Sequence, residues 1–198
     1  LAQGMAVIKR RTGAKKYLAY FQAYTNTYDD IQNLKRLYDR ALAVENVIGL
    51  SIGTRPDCVP DQVLELLVQY QQQGYIIWLE LGLQSSFDAS LDRVNRGHGW
   101  QEYEDACLRA REKGLKVCTH LIAGLPGEHL SDTLISMDKV LGLGTDGIKV
   151  HPLHVVKGTQ LAREWKAGLY EPIDFDEYVD LVVKMLKKMP KNIIVHRL

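Results

Sequence analysis

Three cysteines, far apart in the chain, are all the thiols this 198-residue sequence offers. An odd, scattered set of Cys58, Cys107 and Cys118 excludes a disulfide framework and fits a reducing cytosol, so a cytoplasmic location is expected. The three also lack short metal-ligand spacing, so they are read as structural thiols and no metal ligand is assigned. Excess charge is missing too. A formal net charge of +1 gives no basic surplus for nucleic acid and no acidic surplus for disorder. No apolar run approaches the roughly 18 residues that span a bilayer, and the opening residues hold no long apolar stretch of the signal-peptide kind. What remains is ordinary globular usage, 46% hydrophobic and 25% charged, in a chain long enough for one domain over residues 1–198. The sequence begins at Leu1 with an amphipathic stretch, 4–11, that reads as the tail of a helix, and a fragment of a longer protein is expected.

Six short apolar or alternating runs bounded by turn residues read as strands: 17–22, 47–54, 76–83, 116–124, 147–153 and 192–198. Helical patterns fall between them at 29–44, 60–73, 86–95, 101–113, 131–143 and 174–189. Gly74 and Gly114 stand where a helix ends in a left-handed residue, and Pro190 stops the last helix. The spacing is too long for hairpins. It predicts repeated strand–helix units, a parallel sheet and right-handed crossovers.

Period-two alternation then separates two faces on each strand. One carries Tyr20 and Gln22; Ser51 and Gly53; Glu80, Gly82 and Gln84; Cys118, His120 and Gly124; Lys149 and His151; and His196. The other carries Ile48, Leu50 and Ile52; Leu79, Leu81 and Leu83; Val117 and Leu121; Ile148 and Val150; Ile193 and Val195. An open doubly wound sheet has strands that are apolar on both faces. A greasy outer and a polar inner face predict instead an α/β partial parallel barrel, six strands where a full one has eight. Burying Glu80, His120, Lys149, His151 and His196 together costs several kcal/mol unless partners, water or a ligand offset it. Any one of these residues alone is explained by structure; the set points to a site, with His120, Lys149, His151 and His196 as lumen candidates.

Three segments carry chemistry. Leu79-Glu80-Leu81-Gly82-Leu83-Gln84-Ser85, followed by Asn95-Arg96-Gly97-His98, places Glu80 and Gln84 where they can bond sugar hydroxyls. Arg96 is able to make a two-pronged pair with a carboxylate, or is a plain loop arginine. His120-Leu121-Ile122-Ala123-Gly124-Leu125-Pro126-Gly127-Glu128 runs a strand into a turn and a helix. Its bare Gly124 lets a flat ring approach the backbone, and Glu128 falls near a helix start, where a carboxylate is favourable. In Lys149-Val150-His151-Pro152-Leu153-His154 the two histidines, three apart in extended chain, point to opposite sides, which disfavours a histidine metal site.

The combination of Glu-Leu-Gly-Leu-Gln-Ser at 80–85, Asn-Arg-Gly-His at 95–98, Gly-Leu-Lys-Val at 114–117 and Gly-Leu-Pro-Gly-Glu at 124–128 resembles radical S-adenosylmethionine (SAM) enzymes of the branch related to the elongator catalytic subunit. Phe21–Tyr28, Ser51–Cys58 and His151–Thr159 resemble a bacterial subfamily within that branch. The resemblance covers essentially the whole sequence. It implies a TIM-barrel-like radical SAM core lacking its first strand, SAM lying across the strand C-termini, and a [4Fe–4S] cluster. It also implies an electron donor, and a 5′-deoxyadenosyl radical that abstracts hydrogen from a substrate in the lumen. Carried onto this sequence, Gln22 and Asn26 meet the methionyl end and Glu80, Gln84 and Ser85 the ribose. Arg96 takes the carboxylate. Ile122, Gly124 and Leu125 border the adenine, with His151 and Leu153 beside it. The family's Cys-x3-Cys-x2-Cys loop has no counterpart here, so the cluster ligands are expected upstream and the fragment alone is expected to be inactive. RNA modification follows by analogy only. A barrel lyase or hydrolase using Glu80, His120 and Lys149, or a non-catalytic scaffold, are the competing readings.

Overall fold

A computed structural model describes residues 2–198, with side chains from residue 4 onward. The elements run α1 (Ala2–Thr12), β1 (Tyr17–Phe21), α2 (Ile31–Leu42), β2 (Val47–Thr54), a 3-10 turn (Pro56–Cys58), α3 (Asp61–Gln72), β3 (Ile76–Gln84), α4 (Asp88–Arg93) and α5 (Trp100–Glu112). They continue with β4 (Lys116–Ala123), α6 (Leu130–Gly142), β5 (Gly147–Pro152), α7 (Gln160–Lys166), α8 (Phe175–Lys188) and β6 (Ile194–Arg197). Every expected strand and helix is present to within about two residues at most ends. The seven-residue helix α7 was not foreseen. It is capped by the Thr159 hydroxyl, which accepts from the Ala162 N–H at 3.1 Å.

The described residues fall into two compact units, one formed by the chain up to Gly82 with Asp105–Val117, the other by Leu83–Glu104 with Cys118–Leu198. In the first, β1 pairs with β2 and β2 with β3, both parallel. Tyr20 lies opposite Ser51, Ser51 opposite Trp78, and Gly53 opposite Glu80. Parallel partners share a face, so the polar residues of β2 and β3 stand together while Leu50, Ile52, Leu79 and Leu81 are wholly buried on the other side. Each such leucine contributes about 1.5–3 kcal/mol by leaving water. Helix α2 packs on β2 and on α3. Edge-to-face contacts link Phe21 to Tyr38, Tyr38 to Tyr70 and Tyr70 to Tyr75. Both buried hydroxyls of that chain are used: Tyr38 donates to the Asn26 carbonyl at 2.6 Å and Tyr70 to Asp39 at 2.7 Å.

In the second unit β4 pairs with β5 and β5 with β6, again parallel. A hydroxyl chain joins Tyr103, Thr119 and Thr145 at 2.6 and 2.9 Å and ends on the Gly147 carbonyl at 3.1 Å, satisfying the buried polar atoms behind β4. Helix α8 opens with a capping box, Asp174 accepting from the Glu177 N–H at 2.7 Å and Glu177 from the Asp174 N–H at 3.3 Å. It packs against α6.

One glycine is fixed by backbone approach. A Cβ on Gly49 of β2 would sit 1.9 Å from the Ile76 carbonyl oxygen of β3. Gly49→Ala must therefore move one strand, and it is expected to lower stability by about 3 kcal/mol. Gly142→Ala, at an open position in α6 with nothing within 4 Å, should instead gain up to about 1 kcal/mol. Urea denaturation of both variants checks this, the midpoints moving in opposite directions at constant slope.

Candidate functional site

In the first unit, the loop after β1 is fastened to the end of β2. The Asn26 side-chain amide donates to the Gly53 carbonyl at 2.8 Å and to the Phe21 carbonyl at 3.0 Å, and Thr27 bonds Thr54 at 2.6 Å. Asn26 thus has a local structural task, while Gln22 is exposed. Between them Tyr24 is 98% exposed with a left-handed φ of 65°. Glu80 is only 2% exposed and accepts a hydrogen bond from the Ser51 hydroxyl. A buried carboxylate needs such a donor to remain in place.

In the second unit, the end of β3 is shaped by Gln84, a non-glycine residue with φ 80°. That conformation costs about 1–3 kcal/mol and turns the chain sharply out of the strand. Ser85 follows, nearly fully buried. Its hydroxyl donates to Glu128 and accepts from the Phe87 N–H at 3.1 Å. The Glu128 carboxyl is held above the usual range by burial, against the opposing pull of the Ser85 and Ser90 hydroxyls. Capping of α6 falls to Asp132, which accepts from the His129 N–H at 2.8 Å, and Glu128 serves instead to tie the β4–α6 turn to the end of β3.

A cavity of about 410 Å³ opens between these turns. Gln84, Arg96, Ile122, Leu125 and Leu153, all singled out from the sequence, line it together with Val94, Asn95 and Pro126. The rest of its wall is Arg93 at the end of α4, and Thr159, Gln160, Leu161 and Glu164 from the cap and body of α7. Glu164 there pairs with Arg93 at 2.6 Å and accepts from Gln160 at 2.8 Å. Sequence reasoning missed this wall because α7 is two turns long, although Thr159 before a helix-forming run is the signal that marks it. Gly124 has two local reasons of its own. Its φ is +82°, and a Cβ would lie 3.2 Å from the Ile173 side chain, while the Tyr170 hydroxyl donates to its carbonyl at 2.8 Å. The neighbour that approaches this bare backbone is a side chain of the same protein.

Basic side chains stand on the same strands beside the cavity wall. His120 is opposite Lys149, and Ile122 opposite His151. The rings of His120 and His151 are 6.2 Å apart, and Lys149 is 8% exposed. The register between β5 and β6 shifts between Ile148 and Lys149, so Arg197 comes opposite Lys149. His196, the residue that strict alternation puts there, is displaced by that irregularity. Burial, with the charges of Arg197, His120, Lys149 and His154, pushes the His151 imidazole down to about 4. Arg197 is thus a member of this group that the alternation concealed.

The fit of cofactors follows from these residues. The cavity joins a guanidinium and an amide to three apolar walls, which suits an adenosyl amino acid. The thiols do not suit a cluster: Cys58, Cys107 and Cys118 are scattered along the chain, without the short spacing of a cluster-binding loop.

The Radical SAM superfamily matches residues 1–140 and the Radical SAM C-terminal domain residues 145–198. The chain belongs to the radical SAM superfamily, whose members generally use SAM and a [4Fe–4S] cluster. It is 49% identical over 185 residues to protein YhcC of Escherichia coli K12, covering 93% of this chain and 60% of that protein. It is 39% identical over 183 residues to YtqA of Bacillus subtilis, covering 92% of this chain and 56% of that one. The chain therefore spans somewhat under two thirds of these relatives. Among solved structures, the archaeal Methanocaldococcus infernus Elp3 with an N-terminal deletion superposes with a TM-score of 0.79 at 22% identity, over 98% of this chain and 50% of that one. The radical SAM coproporphyrinogen III oxidase HemN of Escherichia coli gives 0.60 at 20% identity, over 82% of this chain and 37% of that one. The fold class is accordingly the α/β partial barrel of parallel strands expected from the alternation. No helix among the described residues is long and apolar enough to cross a membrane.

His151 makes a pH prediction. Its folded value, about 4, lies below the ordinary 6.5, so the unfolded chain takes up the proton first. The contribution to stability is full above pH 6.5 and is lost as pH falls from 6.5 towards 4. In buffers free of multivalent anions, NMR titration should place the His151 midpoint near 4, and His151→Phe should flatten the pH dependence of the urea midpoint within that window. An ordinary midpoint would contradict the burial.

Proposed function

We propose that the second unit binds SAM in the cavity between the β3 and β4 turns and α7, and that the protein is a radical SAM enzyme acting on a substrate held beside that cavity. One observation carries this reading. Residues from four separate segments, Gln84, Arg96, Ile122 with Leu125, and Leu153, line a single cavity of about 410 Å³. These five are among the eleven residues that the family resemblance singles out; Gln22, Asn26, Glu80, Ser85, Gly124 and His151 do not line this cavity.

In this reading Arg96 binds the methionyl carboxylate through charge-assisted bonds, and Gln84 bonds the ribose hydroxyls. Ile122, Leu125 and Leu153 flank the adenine and exclude water from it. The Ser85–Glu128 bond holds the β3 and β4 turns at a fixed separation, so the polar and apolar walls are organised before the ligand arrives. The Arg93–Glu164 pair keeps α7 against the rim. SAM, once bound, supplies the hydrogen-abstracting chemistry; this chain's residues orient it and keep solvent from it.

Isothermal titration with SAM tests the reading on the purified chain. Arg96→Gln should weaken binding by about tenfold or more, the size of a charged hydrogen bond at ~1.5–3 kcal/mol. Gln84→Gly is the sharper variant, because it separates two effects. Releasing the left-handed strain should raise stability by about 1 kcal/mol while SAM affinity falls. SAM affinity unchanged in both variants would remove the cavity from consideration.

A further inference from the structure

We propose that the outer face of α8 is a homodimer interface, at which two copies of this chain pair their α8 helices antiparallel about a two-fold axis.

The period of the helix defines the face. Leu181 and Met185 turn inward and are buried. Phe175, Val179, Val183 and Leu186 fall together on another arc, about 80° wide at 3.6 residues per turn. The body of the protein leaves that arc uncovered: Phe175 is 79% exposed, Val179 40%, Val183 41% and Leu186 44%. Helix α6 lies on the opposite flank of α8, where Lys188 pairs with Asp138 at 2.6 Å. Four large apolar side chains in one row differ from apolar residues scattered singly over a surface, and such a row marks a contact.

Charge names the occupant. Asp176, Asp180, Lys184 and Lys187 occupy the next 80° or so of the helix, directly beside the apolar row. The two acids stand in the N-terminal half and the two lysines in the C-terminal half. None of the four has an ion-pair partner among the described residues, although Lys188 on the other flank does. A second α8 running the opposite way answers all four. With the axis near Leu181, Phe175 meets Leu186 of the second copy and Val179 meets Val183. Asp176 then faces Lys187, and Asp180 faces Lys184. Each contact occurs twice, as an isologous interface requires. The axis keeps the charged flanks of both helices on one side, so the rows meet in register. A parallel pair would set like charge on like. A wholly acidic or wholly basic partner would satisfy one half of the flank and repel the other.

Size sets the strength. Helix α8 has 14 residues and is about 21 Å long. One such helix pair buries less than the ~1,200 Å² of a standard interface, so a weak, concentration-dependent dimer is expected. Nothing in this rests on the cofactor reading.

Sedimentation equilibrium of the purified chain at low ionic strength tests the proposal. Between about 5 and 500 μM a monomer–dimer equilibrium is expected, with a Kd on the order of 10–100 μM. Two double variants give the flank a single sign, Asp176→Lys with Asp180→Lys and Lys184→Asp with Lys187→Asp. Each should weaken self-association about tenfold or more. Mixed in equal amounts they should associate again, with an affinity close to that of the parent chain. That rescue needs both variants folded, so it separates repulsion from unfolding. A chain that stays monomeric throughout the range leaves the face to another occupant and overturns the proposal. So does a dimer that either charge variant leaves intact, and so do variants that remain monomeric when mixed.

Discussion

In-register pairing of parallel strands is the constraint on which this protein's chemistry depends. Parallel partners share a face, so once Ser51 lies opposite Trp78 and Gly53 opposite Glu80, the β2 hydroxyl and the β3 carboxylate meet without further instruction. The pairing of His120 with Lys149 and of Ile122 with His151 does the same for the basic side chains of β4 and β5. A slip of one residue would bring mostly apolar residues such as Ile52, Leu81, Leu121 and Val150 to the places of the polar ones. Leu50, Ile52, Leu79, Leu81, Leu121, Ile148 and Val150, all at or near zero exposure, make that slip prohibitive. The apolar face thus fixes the register, and the register assembles the polar face.

Polar groups buried in this way need support, and the turns at the strand ends provide it. Asn26 and Thr27 bind the loop after β1 to β2, and the Ser85–Glu128 bond joins the turns after β3 and β4. Each spends a polar side chain on geometry and so leaves the neighbouring residues free for ligands. Gln84 shows the opposite economy. Its left-handed backbone is a local liability, held in place by the surrounding strand and by the bonds of Ser85. Strain beside a cavity is consistent with a position selected for what its side chain reaches.

Much of this was legible in the sequence. Alternation located the strands, separated their faces and distinguished a partial barrel from an open sheet, because period two follows directly from backbone geometry. Glycine and proline marked the helix ends for the same reason. What escaped was whatever depends on a departure from regularity or on distant neighbours. The irregularity between Ile148 and Lys149 brings Arg197 rather than His196 opposite Lys149, and no local pattern announces it. Helix α7 was hidden by its length. Gly124 stands bare in the turn, but Ile173, some fifty residues on, supplies its close neighbour, and no reading of the turn alone reveals that. Glu128 was placed at a helix start, yet its partner is Ser85, 43 residues earlier.

A net charge of +1 conceals the electrostatics that matter. At the surface, acidic side chains answer basic ones, as Asp39 does Lys35, Asp138 does Lys188 and Glu164 does Arg93. Such pairs are screened by salt and contribute little. The cavity depends on charge in another way, for Arg96 stands there among the apolar walls of Ile122, Leu125 and Leu153, and whole-chain composition could not have revealed that placement.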